Sequence, residues 1–368
     1  MNTLNPNSFP IYLDYHSTTP VDPRVAEKVV YYMTTAFGNA NSVDHIYGDQ
    51  AKSVVKEARQ NIANLVGCST KEIIFTSGAT ESINLAIQGH ILHHNSQSVP
   101  RIVLSPIEHK AVLDTCQILE KKGLAELNYL QVDSKGRLNL EHLEKVCSEE
   151  PSLLCVMAAN NEIGNIYPVE KISQIASNYV VPLLCDASQA VGKTPIEFKQ
   201  WGITYLTISG HKLYAPKGVG ALVIKKGTPI EPILFGGGHE RGMRSGTLNV
   251  PSIVGLGEAC RLRQLEMVED ESAIALKRDR LQALLQEEIP ELIINGDTHS
   301  RLAGNLHISI PEIPNSAIIA RICDQLAIST GAACSSGVET PSHVLRAINL
   351  PEEAIEGSLR IGIGKFTT

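Results

Sequence analysis

Short apolar runs alternate with stretches of helical spacing along most of this chain. Residues 72–76, 102–105, 153–159, 181–185 and 205–208 are rich in Ile, Leu and Val and bounded by polar or glycine-containing segments, which predicts short strands. Residues 11–15 read the same way. Between the runs the spacing changes. Val25, Val29 and Val30 fall on one face of a helix that follows the turn Ser17-Thr18-Thr19-Pro20, residues 50–65 form an amphipathic helix stopping at Gly67, and residues 82–88 are helical. From about 254 to 287 a long charged amphipathic helix bridges to a smaller unit, made of runs at 292–295, 302–310 and 358–363 with a helix over 316–325. The alternation predicts an α/β fold in two domains, with ligands bound outside the carboxyl ends of an open sheet.

The polar residues that follow the strands carry the chemistry. Thr80, His109, Asn161, Asp186, Gln189 and Lys212 each lie at or just past a predicted strand end, so they can converge across some 130 positions. Ser209-Gly210-His211-Lys212 brings a hydroxyl, an imidazole and an amine together. An amine held there can form a Schiff base with the aldehyde of pyridoxal 5'-phosphate (PLP), the other two groups binding its phosphate; a polar loop with a solvated lysine is the alternative. Ser77-Gly78-Ala79-Thr80-Glu81 joins a strand to a helix start, leaving backbone N–H groups aimed at one point, which suits a phosphate; a plain cap with Thr80 in the first turn uses the same residues. Asp186, after an apolar run, needs a cationic partner, either a protonated pyridine nitrogen or an ordinary Lys or Arg. His109 alone reads as a capping or core histidine more readily than as a catalytic one, and Lys110 beside it ranks below Lys212 as a Schiff-base lysine. The stretch 235–247 has five glycines, two arginines and a histidine, the composition of an anion-binding or interface loop as much as of a linker.

Composition narrows the class. The chain has 368 residues, 43% hydrophobic and 19% charged, with a net charge of −7 and no basic face or cationic cluster, so neither nucleic acid nor membrane is expected as a partner. The N-terminus lacks a cationic start followed by an apolar run, and no segment approaches the length of a membrane span, so a cytoplasmic protein is expected. The eight cysteines form no CxxC pair, and those in apolar runs, such as Cys155 and Cys185, read as buried and reduced. Cys334 differs: its neighbours are Gly, Ala and Ser, which marks it as an exposed, reactive thiol.

Together, Tyr12-Leu13-Asp14-Tyr15, Phe37-Gly38-Asn39, Thr76 to Glu81, Glu108-His109-Lys110, Asn160-Asn161-Glu162, Asp186 with Gln189, Ser209 to Lys212, Arg241 to Thr247 and Gly331 to Cys334 resemble the cysteine desulfurases of the NifS/IscS type, group I, within the class-V aminotransferase-like PLP enzymes. The resemblance covers nearly the whole chain. It implies the PLP-dependent transferase fold type I, with a mostly parallel central sheet in a large domain (16–255) and a smaller α/β domain (1–15 and 256–368). It further implies that Lys212 carries PLP, Asp186 pairs with the pyridinium nitrogen, and His109 stacks on the ring and shuttles a proton. Ala79, Thr80, Ser209 and His211 bind the phosphate, with Thr247 reaching that of the partner in a homodimer; Gln189 meets the phenolic oxygen. Asn161 and Arg360 receive the substrate carboxylate, and Cys334 takes sulfur from L-cysteine as a persulfide for a sulfur acceptor or an iron–sulfur scaffold protein. A selenocysteine lyase or cystine C–S lyase on the same fold is the alternative. The chain departs from the family pattern at His16-Ser17, where small residues are usual, at Ala40, at Ala332, and at Gly362, where serine is usual.

Overall fold

The computed structural model describes residues 9–94, 98–330 and 341–368. Seven strands form the main sheet, in the order Ile73–Thr76, Gly220–Ile224, Tyr205–Ser209, Leu183–Asp186, Leu153–Met157, Arg101–Leu104, Glu126–Tyr129. Gly220–Ile224 is antiparallel to both of its neighbours, and every other pairing is parallel, so six strands point one way and one is reversed. The sheet is therefore mostly parallel.

Why these runs are continuously apolar follows from burial on both faces. Ile73 and Phe75 pack into one core while Ile74 packs into another; Leu154 and Val156 divide in the same way from Leu153 and Cys155. The first core lies under the helices Ile46–Val66, Val169–Asn178 and the start of Val250–Glu288, and the second under Ala79–His93 and Lys110–Lys121. Helices thus cover both faces, leaving the strand ends as the open edge.

The long helix, 39 residues from Val250, starts with Asn249 accepting from Ser252 N at 3.2 Å. Its glycines allow close helix packing: a Cβ at Gly257 would stand 2.5 Å from Ala58 Cα. Beyond it, Ile293–Ile294, Asn305–Ser309 and Ser358–Gly362 make a three-stranded antiparallel sheet with its own core of Ile274, Leu306, Ile308, Leu359 and Ile361. Ile11–Tyr12 pairs in parallel with Leu326–Ala327.

The structure departs from the sequence-based expectation in particular places. The first strand is two residues long, because Asp14 to Thr19 turn away to bond the strand Ser358–Gly362 and the Lys212 loop. Val30 is exposed while Val25 is buried, since position 30 rotates off the face shared by 25 and 29. The thiols are mostly buried as expected, Cys155 and Cys185 included, but Cys323 is exposed.

Candidate active site

At the open edge of the large sheet lies a cavity of about 950 Å³. Of the expected residues, Ala79, Thr80, His109 and Asn161 line it, as do Asp186, Gln189, Ser209, His211, Lys212 and Arg360. Thr247 is exposed and is not part of the wall. Cys334 lies outside the described residues. A second concavity of about 500 Å³, between the helices that carry Tyr32, Ala58 and Val254, gathers none of the strand-end residues.

One wall of the cavity is built for an anion. The strand Ile73–Thr76 ends in Ser77-Gly78, and the helix Ala79–His93 begins at once. Gly78 offers no side-chain cap, and the N–H groups of Ala79, Thr80 and Glu81 have no partner among the described residues. The dipole of a 15-residue helix favours negative charge there. Thr80 is therefore not a side-chain cap; its carbonyl accepts from Asn84 Nδ2 at 2.9 Å. Backbone approach is tight, since a Cβ at Gly220 would stand 2.7 Å from Gly78 Cα. Glu81 is kept from repelling an anion: its carboxylate accepts from Ser77 N at 2.7 Å and pairs with Arg244 at 2.7 Å. Ser209, at the end of its strand, and His211, whose Nδ1 lies 3.1 Å from Thr18 Oγ1, face the same cavity. Burial, with Lys212, Lys217 and Lys193 nearby, brings His211 down to about 4, so it meets a ligand as a neutral imidazole.

Asp186 closes its strand and is 6% exposed. Ser188 N donates to its Oδ1 at 3.0 Å, Ser188 Oγ at 2.5 Å and Thr207 Oγ1 at 2.8 Å. Among the described residues it forms no ion pair, so the ordinary Lys or Arg partner is absent. Three donors to one oxygen fix the carboxylate and leave its charge available to the cavity.

Lys212 follows in a 3-10 turn after Tyr205–Ser209. Its Nζ donates to the carbonyls of His16 at 2.5 Å and Ser17 at 2.6 Å. Neither acceptor is charged, and burial, reinforced by Lys193 and Arg360 against Asp14 and Asp186, lowers the amine from 10.5 to about 7. At pH 7 about half of it is neutral, against roughly one in three thousand for an ordinary lysine. Lys110, the first residue of its helix, has no such seat. Gln189 is committed within the protein: its Nε2 donates to His16 O at 2.8 Å and its Oε1 accepts from Lys193 Nζ at 3.0 Å.

His109 caps the helix Lys110–Lys121, its Nδ1 accepting from Ala111 N at 3.1 Å. The ring is open to the cavity on one side. Burial lowers its pKa, against the pull of Asp186, so the capping nitrogen is unprotonated and the other carries the hydrogen. Glu108 before it is fully buried, with Oε1 accepting from Met157 N at 2.8 Å and Oε2 without a partner among the described residues. Burial raises its pKa well above the usual carboxyl range, Asp186 adding to the effect. The folded protein therefore holds a proton that the unfolded chain releases above about pH 4.3, and this contribution to stability declines as pH rises toward the folded pKa. Glu108→Gln, which mimics the protonated acid, is expected to gain on the parent by up to about 1.4 kcal/mol per pH unit across that window. Urea unfolding at pH 5, 6.5 and 8 checks this; a constant difference would mean that Glu108 is ionised when folded.

Arg360, on the strand Ser358–Gly362, reaches the cavity from the smaller sheet. Its Nη2 donates to Asp14 Oδ1 at 2.9 Å and its Nη1 to Asn161 O at 3.1 Å, while Nε is buried and has no partner among the described residues. These contacts hold the fork beside Asn161. In the glycine-rich loop Arg241 Nη2 donates to Ile73 O at 2.8 Å and Arg244 pairs with Glu81, so both arginines serve this chain's own structure. Among the described residues no cluster of His, Cys, Asp and Glu is arranged to hold a metal ion, and no helix is long and apolar enough to cross a membrane. Sequence alone does not reveal the parts of the His16 and Ser17 carbonyls and Lys193, or the protonated state of Glu108, which depend on burial and on partners far along the chain.

The aminotransferase class-V family model matches residues 11–368, and the chain belongs to that family. Within it, the chain is similar to the cysteine desulfurases IscS of Rickettsia massiliae, 44% identical over 99% of this chain and 89% of the relative, and of Anaeromyxobacter dehalogenans, 42% identical over 98% and 89%. Among solved structures it resembles a NifS-like protein, with a TM-score of 0.91 and 36% identity over 98% of this chain and 95% of the other. It also resembles DndA from Streptomyces lividans, with a TM-score of 0.82 and 38% identity over 95% and 98%.

Proposed function

We propose that the protein is a cysteine desulfurase that uses PLP to move the sulfur of L-cysteine onto Cys334, leaving L-alanine. The observation that carries this reading is the Lys212 amine, brought to about 7 between two carbonyls, in one cavity with an Asp186 and a row of N–H groups that have no ion-pair or hydrogen-bond partner, respectively, among the described residues. The relatives named as cysteine desulfurases support it over the lyase alternatives.

The donor set fits PLP: the N–H groups of Ala79 and Thr80, with Ser209 and His211, suit a phosphate, Asp186 a protonated ring nitrogen, and Lys212 an aldehyde. When bound, PLP supplies an electrophilic carbon for the substrate amine and a protonated ring that draws electron density from Cα. Around it, Arg360 and Asn161 orient the substrate carboxylate, and the neutral Lys212 Nζ takes the Cα proton. His109 moves protons between the substrate and the thiol. The Cys334 thiolate attacks the substrate sulfur: an S–S bond forms as the Cβ–S bond breaks, and the bonding pair stays on Cβ, which takes up a proton, while Cα regains the proton that Lys212 removed. The thiol is oxidised to a persulfide and the substrate carbon is reduced, with no outside oxidant.

The reading includes a homodimer in which Thr247 serves the partner's phosphate site, Gln189 beside the phenolic oxygen, the division into 16–255 and 1–15 with 256–368, a cytoplasmic setting, and a sulfur acceptor such as an iron–sulfur scaffold protein. Purified holoenzyme given L-cysteine and dithiothreitol should release alanine and sulfide in equal amounts. Alanine without sulfide or persulfide would redirect the assignment.

A further inference from the structure

Two of the positions at which the sequence departs from the family pattern, His16 and Gly362, meet in the structure. His16 is 2% exposed, and its Nδ1 lies 3.4 Å from Gln189 Oε1, the oxygen that also accepts from Lys193. Gln189 Nε2 returns a hydrogen bond to the His16 carbonyl, and that carbonyl is one of the two that hold Lys212 Nζ. Gly362 makes the close fit. A Cβ there would stand 2.7 Å from Tyr15 N, 3.0 Å from His16 N and 3.1 Å from His16 Cδ2. Without one, Gly362 N donates to Leu13 O at 2.7 Å and the segment closes onto the strand.

We propose that His16, seated by Gly362, is a positioning residue for the Lys212 amine: its ring clamps Gln189, and its carbonyl, fixed by that clamp, holds Nζ at the buried side of its seat. The inference rests on Lys212 being the reactive amine of the proposed function. The imidazole is buried, and among the described residues its Nε2 has no partner, an arrangement that costs stability and that packing alone does not require. Burial, with Lys193, Arg360 and Lys212 adding to it, keeps the ring neutral, so it fills the space without placing another charge beside the amine. The groups that act on Lys212 are Lys193 and Arg360, which favour the neutral form, and Asp14 and Asp186, which oppose it; all act after desolvation, the largest cause. A small residue at 16 admits water to that side and loosens Gln189.

The test is competitive acetylation of the full-length protein freed of PLP, followed peptide by peptide by mass spectrometry across pH, with Lys110 as internal reference. In the parent the Lys212 midpoint is expected near 7. His16→Ala should move it to about 8, a roughly fivefold loss of neutral amine at pH 7. Gly362→Ala, pushing the same segment outward, should move it in the same direction, and the double variant should shift less than the sum. His16→Asn, which keeps a donor for Gln189, should fall between parent and alanine variant and decides the matter if Gly362→Ala does not fold. A parent midpoint near 10.5 removes the reading of Lys212 itself. A parent midpoint near 7 that the His16 variants leave unmoved, or shifts that simply add, overturns the role of His16 alone.

Discussion

Replacing Lys212 with alanine is expected to lower alanine formation from L-cysteine by at least about 10²–10⁴-fold, the range for loss of a positioned general base, with loss of the covalent anchor added to it. The protonation state of the amine decides the size of this loss. An ordinary lysine is protonated at neutral pH and cannot take a proton, whereas Lys212, at about 7 between the carbonyls of His16 and Ser17, is half available. Cofactor binding should survive in weakened form, because the N–H groups at Ala79 and Thr80 and the carboxylate of Asp186 are untouched. Absorption spectra and a cofactor assay on the variant separate the two effects. Lys110→Ala should change turnover less than twofold; loss of turnover in that variant, with Lys212→Ala active, would reverse the assignment.

Cys334→Ser should abolish persulfide while leaving cofactor content and substrate binding as in the parent. A serine hydroxyl is far too weak an acid to supply the nucleophile, so sulfide release should fall by about 10³-fold or more. The competing thiols differ in kind. Burial raises Cys155 and Cys185 well above the usual thiol range, which leaves them protonated and out of reach. Cys323 is exposed and is the appropriate control. After brief exposure of the parent to L-cysteine, mass spectrometry should find the added sulfur on the peptide containing Cys334; label confined to the Cys323 peptide would overturn the mechanism.

Much of the large sheet was legible because strands buried on both faces are unbroken apolar runs, as at Leu153–Met157. Polar residues stand out where such runs stop, which is how Asp186 and Lys212 were found. Glu126–Tyr129 was not seen, since an edge strand with no buried residue carries no apolar pattern. Gly220–Ile224 was missed for another reason: its run begins directly on the turn residues 216–218 and stops at Lys225-Lys226, so it resembles the end of a loop. Within the site, residue type announced a candidate but not its state. Nothing local to Glu108 says that it is protonated, and nothing near Lys212 names the carbonyls 195 and 196 positions earlier that hold it. Resemblance placed Arg360 and Gln189 at the cavity, yet their contacts with Asp14, His16 and Lys193 depend on folding alone.

The seat of Lys212 draws on Ser17 and His16 near one end of the chain and, through Asp14 and Gly362, on the strand Ser358–Gly362 near the other. Contacts of such sequence separation form late, after the loops between them have closed. During synthesis the large sheet can assemble while residues 358–362 are still inside the ribosome, but the amine then lacks its finished surroundings. A chain lacking the strand Ser358–Gly362 is consequently expected to hold a less reactive Lys212 amine, so that on the proposed function the cofactor would be captured only after that strand has joined the fold.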